Sequence, residues 1–572
     1  MPVYNSDIAE IFDEVADLLD IEGANQFRVR AYRDAARTIN TLSANVAEMV
    51  KEGEDLTELE GIGQDLAGKI REIVKTGGLE QLQEIRQRTP PELAEMLHIA
   101  GLGPKRVQKI HQELGVSTVE GLRRAAEQGQ IEEIEGLGPK TQQQILEGIE
   151  RLQDQKRTLL SVAEEFVAPL VDYVRDSEGV EKVMAAGSYR RRQETVGDLD
   201  ILATGQDREA IIQRFVEYED VDDVVSQGQT RSTVILRRGL QVDLRVVAQE
   251  SYGAALLYFT GSKAHNIALR NLALDRGWKI NEYGVFEDEE RIAGETEEEI
   301  YELLDLDYVE PEMREDRGEI QLAREGKLPR LVTLDDLHGD LQSHTTSSDG
   351  HNSLEEMAAA AQERGYEYLA ITDHSQYVGV TQGLDAEEVA KQGDEIDRLN
   401  DEFEGFRLLK AIEVDILEDG SLDLPDEALA KLDLVLCSVH SHFGLSRDKQ
   451  TERIIRAMDN PYFNILAHPT GRRMGERDGY EVDMERLLDA ALERGCFLEV
   501  NAQPDRLDLD DVYCKMAKER GLKLSISTDA HRTSELDFVH FGLGQARRGW
   551  LEPGDVLNTR SWSDLKKLLT RD

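Results

Sequence analysis

The chain has 572 residues, 40% hydrophobic and 32% charged, with 67 basic against 115 acidic side chains and a formal net charge of −48. That length supplies about three to five domains with ample material for buried cores, and the composition excludes fibrous and intrinsically disordered classes. Three cysteines, Cys437, Cys496 and Cys514, exclude a disulfide framework and suggest a reducing compartment. No run of about 18 apolar residues is present, and Asp7, Glu10, Asp13 and Glu14 stand where a secretory leader would be basic. A cytoplasmic protein, off the membrane and monomeric, is expected. Its acids are spread throughout, and 20 lysines stand against 47 arginines. Such a surface suits a concentrated salt solution, which screens self-repulsion. Net charge then reports the solvent, and local charge must name the partner.

Residues 1–90 read as helices. Ile8, Ile11, Phe12, Val15, Leu18 and Leu19 recur at helical spacing, and a basic stretch from Phe27 to Arg33 follows. A short motif then appears three times, as Gly61-Ile-Gly63, Gly101-Leu-Gly103-Pro-Lys105 and Gly136-Leu-Gly138-Pro-Lys140, each between apolar helical segments. Paired glycines permit a tight turn that aims the N–H groups of the next helix at a phosphate oxygen, and Lys105 and Lys140 add charge there. One copy is an ordinary helix connection; three predict helix-hairpin-helix elements that hold the DNA backbone without reading its sequence.

From 180 to 250 the pattern changes to alternating β-type segments, including 232–237 and 240–247. Here lie Gly187-Ser188-Tyr-Arg-Arg191 and Gly197-Asp198-Leu-Asp200. In a strand, Asp198 and Asp200 project from one face, and Asp243 in a further strand completes three carboxylates suited to Mg2+ and phosphate oxygens. Gly187 and Ser188 at a turn, with Arg191 nearby, suit a triphosphate tail. The set supports two-metal phosphoryl transfer.

These motifs, continued in Tyr258-Phe-Thr-Gly-Ser262, Asn266, Arg270 and Ile280-Asn-Glu-Tyr283, strongly resemble those of the family X DNA polymerases over residues 1–318. The resemblance implies that Asp198 and Asp200 bind both metals, and that Asp243 binds the catalytic ion and takes the primer hydroxyl proton. Ser188, Arg191 and Gly197 would hold the triphosphate beside Gly187. Tyr258, Phe259 and Gly261 would line the sugar pocket, with Tyr258 disfavouring a ribose 2′-hydroxyl. Lys263, Asn266 and Arg270 would lie at the nascent pair and Arg245 toward the DNA. Lys69 falls where lyase-competent relatives carry a Schiff-base lysine; the alternative is a helix lysine touching phosphate, with Asp65 one turn before it.

Nine of the 12 histidines lie beyond residue 330. Short apolar segments alternate with helical ones there, the rhythm of a barrel-like α/β domain. His344, His374, His440, His468 and His531, with Asp349 and Glu413, cluster at strand ends, a pattern that suits Zn2+ or Mn2+ at one end of a barrel. The region resembles the PHP (polymerase and histidinol phosphatase) domain, which implies the ligand set His344, Asp349, His374, Glu413, His440, His468, Asp529 and His531. One departure matters: the opening motif normally pairs two histidines, whereas Gln342 stands here before His344. An amide oxygen is a weaker ligand than imidazole, so one metal of a trinuclear cluster would be held loosely. His338, four residues earlier, is not expected to replace it.

The expected architecture is a multidomain chain: an N-terminal helical, lyase-like DNA-binding domain (1–90), fingers with two helix-hairpin-helix motifs (91–155), an α+β nucleotidyltransferase palm (156–275), thumb (276–318), linker (319–336) and a C-terminal distorted (β/α)7-type PHP barrel (337–572). The expected function is gap-filling synthesis on gapped or primed DNA from dNTPs with Mg2+, joined to a 3′–5′ exonuclease or abasic-site incision activity using Mn2+ or Zn2+. The alternatives are a polymerase whose PHP domain is a silent scaffold and a non-catalytic DNA end-binding protein, against which the intact Asp198, Asp200 and Asp243 set speaks.

Overall fold

The computed structural model describes residues 5–40, 46–59, 61–99, 102–134, 136–154, 157–377 and 383–571. The chain forms two compact units, residues 1–157 with 236–239, and residues 158–235 with 240–572.

The first unit is helical over its 1–157 segment. Helix α1 (Asn5–Ile21) packs on α2 (Gln26–Asn40), with Phe12 and Tyr32 meeting edge-on at 5.5 Å. The apolar residues spaced for a helix face, Ile8, Phe12, Val15, Leu18 and Leu19, are all buried. Helices α3 (Gln64–Thr76), α4 (Pro104–Leu114) and α5 (Pro139–Asp154) each begin one residue after the second glycine of the repeated motif. The residue between the glycines is a core anchor each time: Ile62, Leu102 and Leu137 are buried.

The second unit opens with α6 (Leu160–Arg175) and a five-stranded sheet. Its strands are β1 (Val180–Ala185), β2 (Leu199–Gly205), β3 (Val221–Gln227), β4 (Arg231–Leu236) and β5 (Gln241–Val247), in the order β1-β2-β5-β4-β3. Between β1 and β2 lies the short helix α7 (Gly187–Arg190), where a turn was expected; Gly187 enters it at φ +63°. Helices α8 (Tyr252–Thr260) and α9 (Lys263–Leu274) follow, and then a three-stranded antiparallel sheet of β6 (Trp278–Asn281), β7 (Gly284–Glu287) and β8 (Glu290–Ala293).

The expected linker, 319–336, and the polar stretch just before it are packed instead. Residues Glu319–Glu325 form helix α10, and Met313, Arg314, Glu319, Ala323, Leu331 and Val332 are buried. Charge does not prevent this, because each buried ion has a partner: Arg314 meets Glu297 at 2.5 Å and Glu319 meets His265 at 2.7 Å.

The remaining strands are β9 (Gly339–Asp340), β10 (Tyr368–Ile371), β11 (Arg407–Asp415), β12 (Leu434–Ser438), β13 (Ile465–Leu466), β14 (Phe497–Asn501) and β15 (Leu524–Ser527). They pair in sequence order, all parallel, and a Ser343–Ala530 bridge joins the first edge to the last, nearly closing a seven-stranded barrel. Strands β10, β12 and β15 are buried at every residue, as a parallel sheet covered by helices requires. The last long helix of its wall is α11 (Val539–Arg548). No helix among the described residues is long and apolar enough to cross a membrane.

Candidate active sites

The palm site is assembled by strand register. β2 and β5 run parallel and set Asp200 directly beside Asp243, while exposed Asp198 immediately precedes β2. Asp243 is buried, with Thr233 donating its hydroxyl to one carboxylate oxygen and Arg231 Nη2 3.2 Å from the other. Burial, and next the Asp198 charge, push the Asp200 carboxyl up to about 6. Three crowded carboxylates are a donor set that a divalent cation relieves, so the residues fit Mg2+.

Around this triad the other sequence-predicted residues take definite places. A Cβ on Gly187, held at φ +63°, would lie 3.1 Å from Asp200 Oδ2, so glycine lets the backbone approach that carboxylate closely. Gly261, at φ +72°, stands as close to Arg191, where a Cβ would lie 3.1 Å from Nη1. Arg191 donates to the Thr260 carbonyl and pairs with Glu315 at 3.1 Å. Ser188 and Gly197 are half-buried beside this loop. Tyr258 and Phe259 meet edge-on at 5.1 Å; Arg270 lies over the first ring at 5.8 Å and Arg245 over the second at 4.2 Å. Asn266 donates to the Tyr258 carbonyl at 2.7 Å, and Lys263 is exposed at the start of α9. Arg245, half-buried, stacks on Phe259, and its charge opposes part of the rise at Asp200.

In the helical unit, Gly63 and Gly103 cap α3 and α4 without any side-chain hydrogen bond, and Gly61 and Gly136 take φ +71° and +85°. Gly63, Gly103, Gly136, Gly138, Lys105 and Lys140 are exposed; Gly101 lies outside the described residues. An exposed helix start with a glycine cap presents its amides outward, a suitable geometry for a phosphate. Lys69 is half-buried in α3, paired with Asp65 and 5.6 Å from the Tyr32 ring centre.

In the barrel, all eight sequence-predicted ligands converge. Glu413 on β11 is the hub, 1% exposed. Its Oε1 is 2.9 Å from His468 Nε2 and 3.3 Å from His440; its Oε2 is 3.4 Å from His344 and 3.6 Å from His374. Asp529 meets His344 at 3.0 Å, and Asp349 is 3.5 Å from both His374 and His531. His468 and Asp529 adopt φ +28° and +54°, backbone strain held at the ligand positions. Burial lowers His374 to about 3, whereas His440, despite burial, is raised to about 9 by hydrogen bonds to Asp415 and Glu413.

Buried Gln342 Oε1, His344 Nδ1, His374 Nδ1 and His468 Nδ1 have no hydrogen-bond partner. So many unsatisfied atoms in a cage of imidazoles and carboxylates are accounted for by cations, so this set fits Mn2+ or Zn2+. Gln342 Nε2 donates to Glu413 Oε2 at 2.9 Å. His338 pairs with Glu367 at 2.8 Å, as expected of a residue that does not replace the missing histidine.

Three supporting residues escaped the sequence reading. Asp415 accepts from His440 Nδ1 at 3.3 Å; Asn501 donates to Asp529 at 3.0 Å; Arg506 Nε lies 3.9 Å from Asp529. Asp415 had a signal, since it shares a strand face with Glu413 two residues earlier. Loop-borne Arg506 had none.

Fold and sites together define a nucleotidyltransferase polymerase joined to a PHP barrel. Residues 3–79 match the helix-hairpin-helix domain family, 93–151 the SAM-like helix-hairpin-helix tandem, 255–315 the DNA polymerase beta thumb and 340–503 the PHP domain. The chain is 38% identical over 576 residues, covering all of both sequences, to the DNA polymerase/3'-5' exonuclease PolX of Bacillus subtilis (strain 168). It belongs to the family X DNA polymerases that carry a C-terminal PHP domain. A probable phosphatase of Thermoanaerobacter sp. (strain X514) is 33% identical over 232 residues, 38% of this chain and 89% of that protein. DNA polymerase lambda of Rattus norvegicus is 28% identical over 346 residues, 54% of this chain and 56% of that one.

Proposed function

We propose that the chain fills short gaps in DNA during repair, adding deoxynucleotides in the palm and trimming 3′ ends in the barrel. The observation that carries the reading is the Asp200–Asp243 register, which puts two carboxylates side by side with Asp198 at the rim. Asp198, Asp200 and Asp243 would hold Mg2+, and the eight barrel residues Mn2+ or Zn2+. When bound, such ions neutralise phosphate charge and acidify a coordinated hydroxyl or water.

The chain's own residues do the rest. Asp243, oriented by Thr233 and Arg231, accepts the proton of the primer hydroxyl. Ser188, Arg191 and Gly197 hold the triphosphate, and Tyr258 and Phe259 shape the sugar pocket. Gly-capped helix starts and Lys105 and Lys140 hold the DNA backbone on either side of a gap. In the barrel, buried Glu413 and Asp529 supply the negative charge that retains the cations, Asn501 orients Asp529 and Asp415 orients His440.

A second reading, a barrel kept as a scaffold, is favoured by one observation: the Gln342 amide occupies a Glu413 oxygen that a cation would use. Two assays decide. Primer extension on gapped DNA is expected for the wild type and lost in Asp198→Ala. Degradation of 3′ ends with Mn2+ is expected in Asp198→Ala and lost on adding Glu413→Ala; no hydrolysis at any Mn2+ concentration establishes the scaffold.

A further inference from the structure

The loop after α7 carries Arg191, and the barrel domain grips it residue by residue. Arg548, the last residue of α11, is 6% exposed. Its Nη1 donates to the Arg191 carbonyl at 2.8 Å and to Glu315 Oε1 at 3.0 Å, and its Nη2 meets Asp511 at 2.7 Å. That Glu315 oxygen also accepts from Arg191 Nε and from Gln193, each at 3.1 Å. Further along, Gln545 Nε2 donates to the Arg192 carbonyl at 3.4 Å, and Arg472 Nη2 pairs with Glu194 at 2.5 Å. Arg192, held at φ +54°, places its guanidinium 5.9 Å from the Phe541 ring centre.

We propose that the PHP domain is a structural part of the polymerase nucleotide site, with Arg548 a positioning residue that sets Arg191, through Glu315, for the incoming triphosphate. The inference rests on the reading of Arg191 as a triphosphate ligand. A guanidinium is a planar fork, so fixing Nε on Glu315 and Nη1 on the Thr260 carbonyl fixes its plane. Glu315 is a competitor for Arg191 as well as its guide. Arg548 shares that carboxylate's charge and at the same time pins the Arg191 backbone. Without Arg548, Glu315 draws Arg191 more strongly away from phosphate, and the Arg191 backbone beside the strained turn at Arg192 loses its anchor. Both effects weaken triphosphate binding and leave the barrel ligands untouched.

The test is single-nucleotide insertion on gapped DNA by the full chain, comparing wild type with Arg548→Met, Arg548→Lys, Arg191→Ala and the Met/Ala double variant. Methionine fills the volume and removes the donors. Arg548→Met should raise KM for dNTP about ten-fold or more, as misplacement of a positioning group does. The inhibition constant of pyrophosphate should rise in parallel, with kcat, KM for DNA and Mn2+-dependent 3′-end hydrolysis near wild type. Arg548→Lys should recover part of the loss, and the double variant should be no worse than Arg191→Ala alone. If Arg191→Ala raises KM while Arg548→Met leaves both constants unchanged, the inference falls and the reading of Arg191 stands. If Arg191→Ala leaves KM unchanged, that reading falls and takes the inference with it. Should Arg548→Met fail to fold, Arg472→Ala carries the test: its side chain is 18% exposed, and an unchanged KM for dNTP there overturns the proposal.

Discussion

Replacing Glu297 by Gln should loosen the seat on which α7 and the loop after it rest. Glu297 is 4% exposed and receives Arg190 at 2.9 and 2.6 Å, Arg314 at 2.5 Å and the Tyr308 hydroxyl at 3.0 Å. Burial alone would raise its carboxyl; the charges of Arg314 and Arg190 and their hydrogen bonds instead hold it at about 2, below the ordinary 4.5. That depression corresponds to about 3 kcal/mol of stability near neutrality. The folded-state pKa lies below the unfolded one, so the contribution is full above pH 4.5 and fades as pH falls toward 2. Glutamine removes it and leaves fully buried Arg314 and largely buried Arg190 facing a neutral amide, a loss of about 3–5 kcal/mol for a broken buried pair. Urea unfolding of wild type and Glu297→Gln, followed by tyrosine and tryptophan fluorescence, measures the gap. It should be about 3 kcal/mol at pH 7 and shrink to about half by pH 3. Equal midpoints at pH 7, or a gap that does not change with pH, would refute the reasoning.

Asp243→Ala should lower primer extension by about three orders of magnitude or more while 3′-end hydrolysis continues; near wild-type extension would remove Asp243 from the catalytic set. If the acidic, lysine-poor surface is fitted to concentrated salt, polymerase activity should persist near about 1 M KCl, where counterion release makes ordinary phosphate contacts fail. Activity confined below about 0.2 M, with unfolding above it, would sink the brine reading. Gln342→His should tighten Mn2+ binding by about ten-fold or more in calorimetric titration, since it adds an imidazole and frees a Glu413 oxygen. An unchanged titration would mean that position 342 does not face a cation. His374→Ala should abolish 3′-end degradation with extension intact, and persistent degradation would place the nuclease elsewhere.

Local features were legible in the amino-acid order. The spacing of Ile8, Phe12, Val15 and Leu19 marked the buried face of α1. Ile62, Leu102 and Leu137 sit between paired glycines and became core anchors for the same reason each time. The barrel ligands were readable because most stand at or just beyond the carboxyl end of a short apolar strand, where a parallel barrel collects its functional ends. What escaped depends on distant partners. Residues 319–336 read as a linker because charge is dense from 310 onward. Yet Arg314 finds Glu297 17 positions back and Glu319 finds His265 54 positions back, and both ions go inside. The grip of Arg548 on Glu315 and of Arg472 on Glu194 spans 233 and 278 positions, and no local pattern announces such pairs.

The barrel ligands run from His344 to His531 and lie on loops and strands around nearly the whole ring, with Ser343 and Ala530 meeting only at its closure. Contacts of such sequence separation form late, after most of the chain is available. On a ribosome adding about 5–20 residues per second, residues 1–157 emerge first, and their local helical contacts can form while the barrel is still unmade. The cage around Glu413 waits for residue 531, and the clasp of α11 on the loop after α7 waits for residue 548. A chain that ends before residue 531 therefore carries the helical hairpins without a completed cage or clasp.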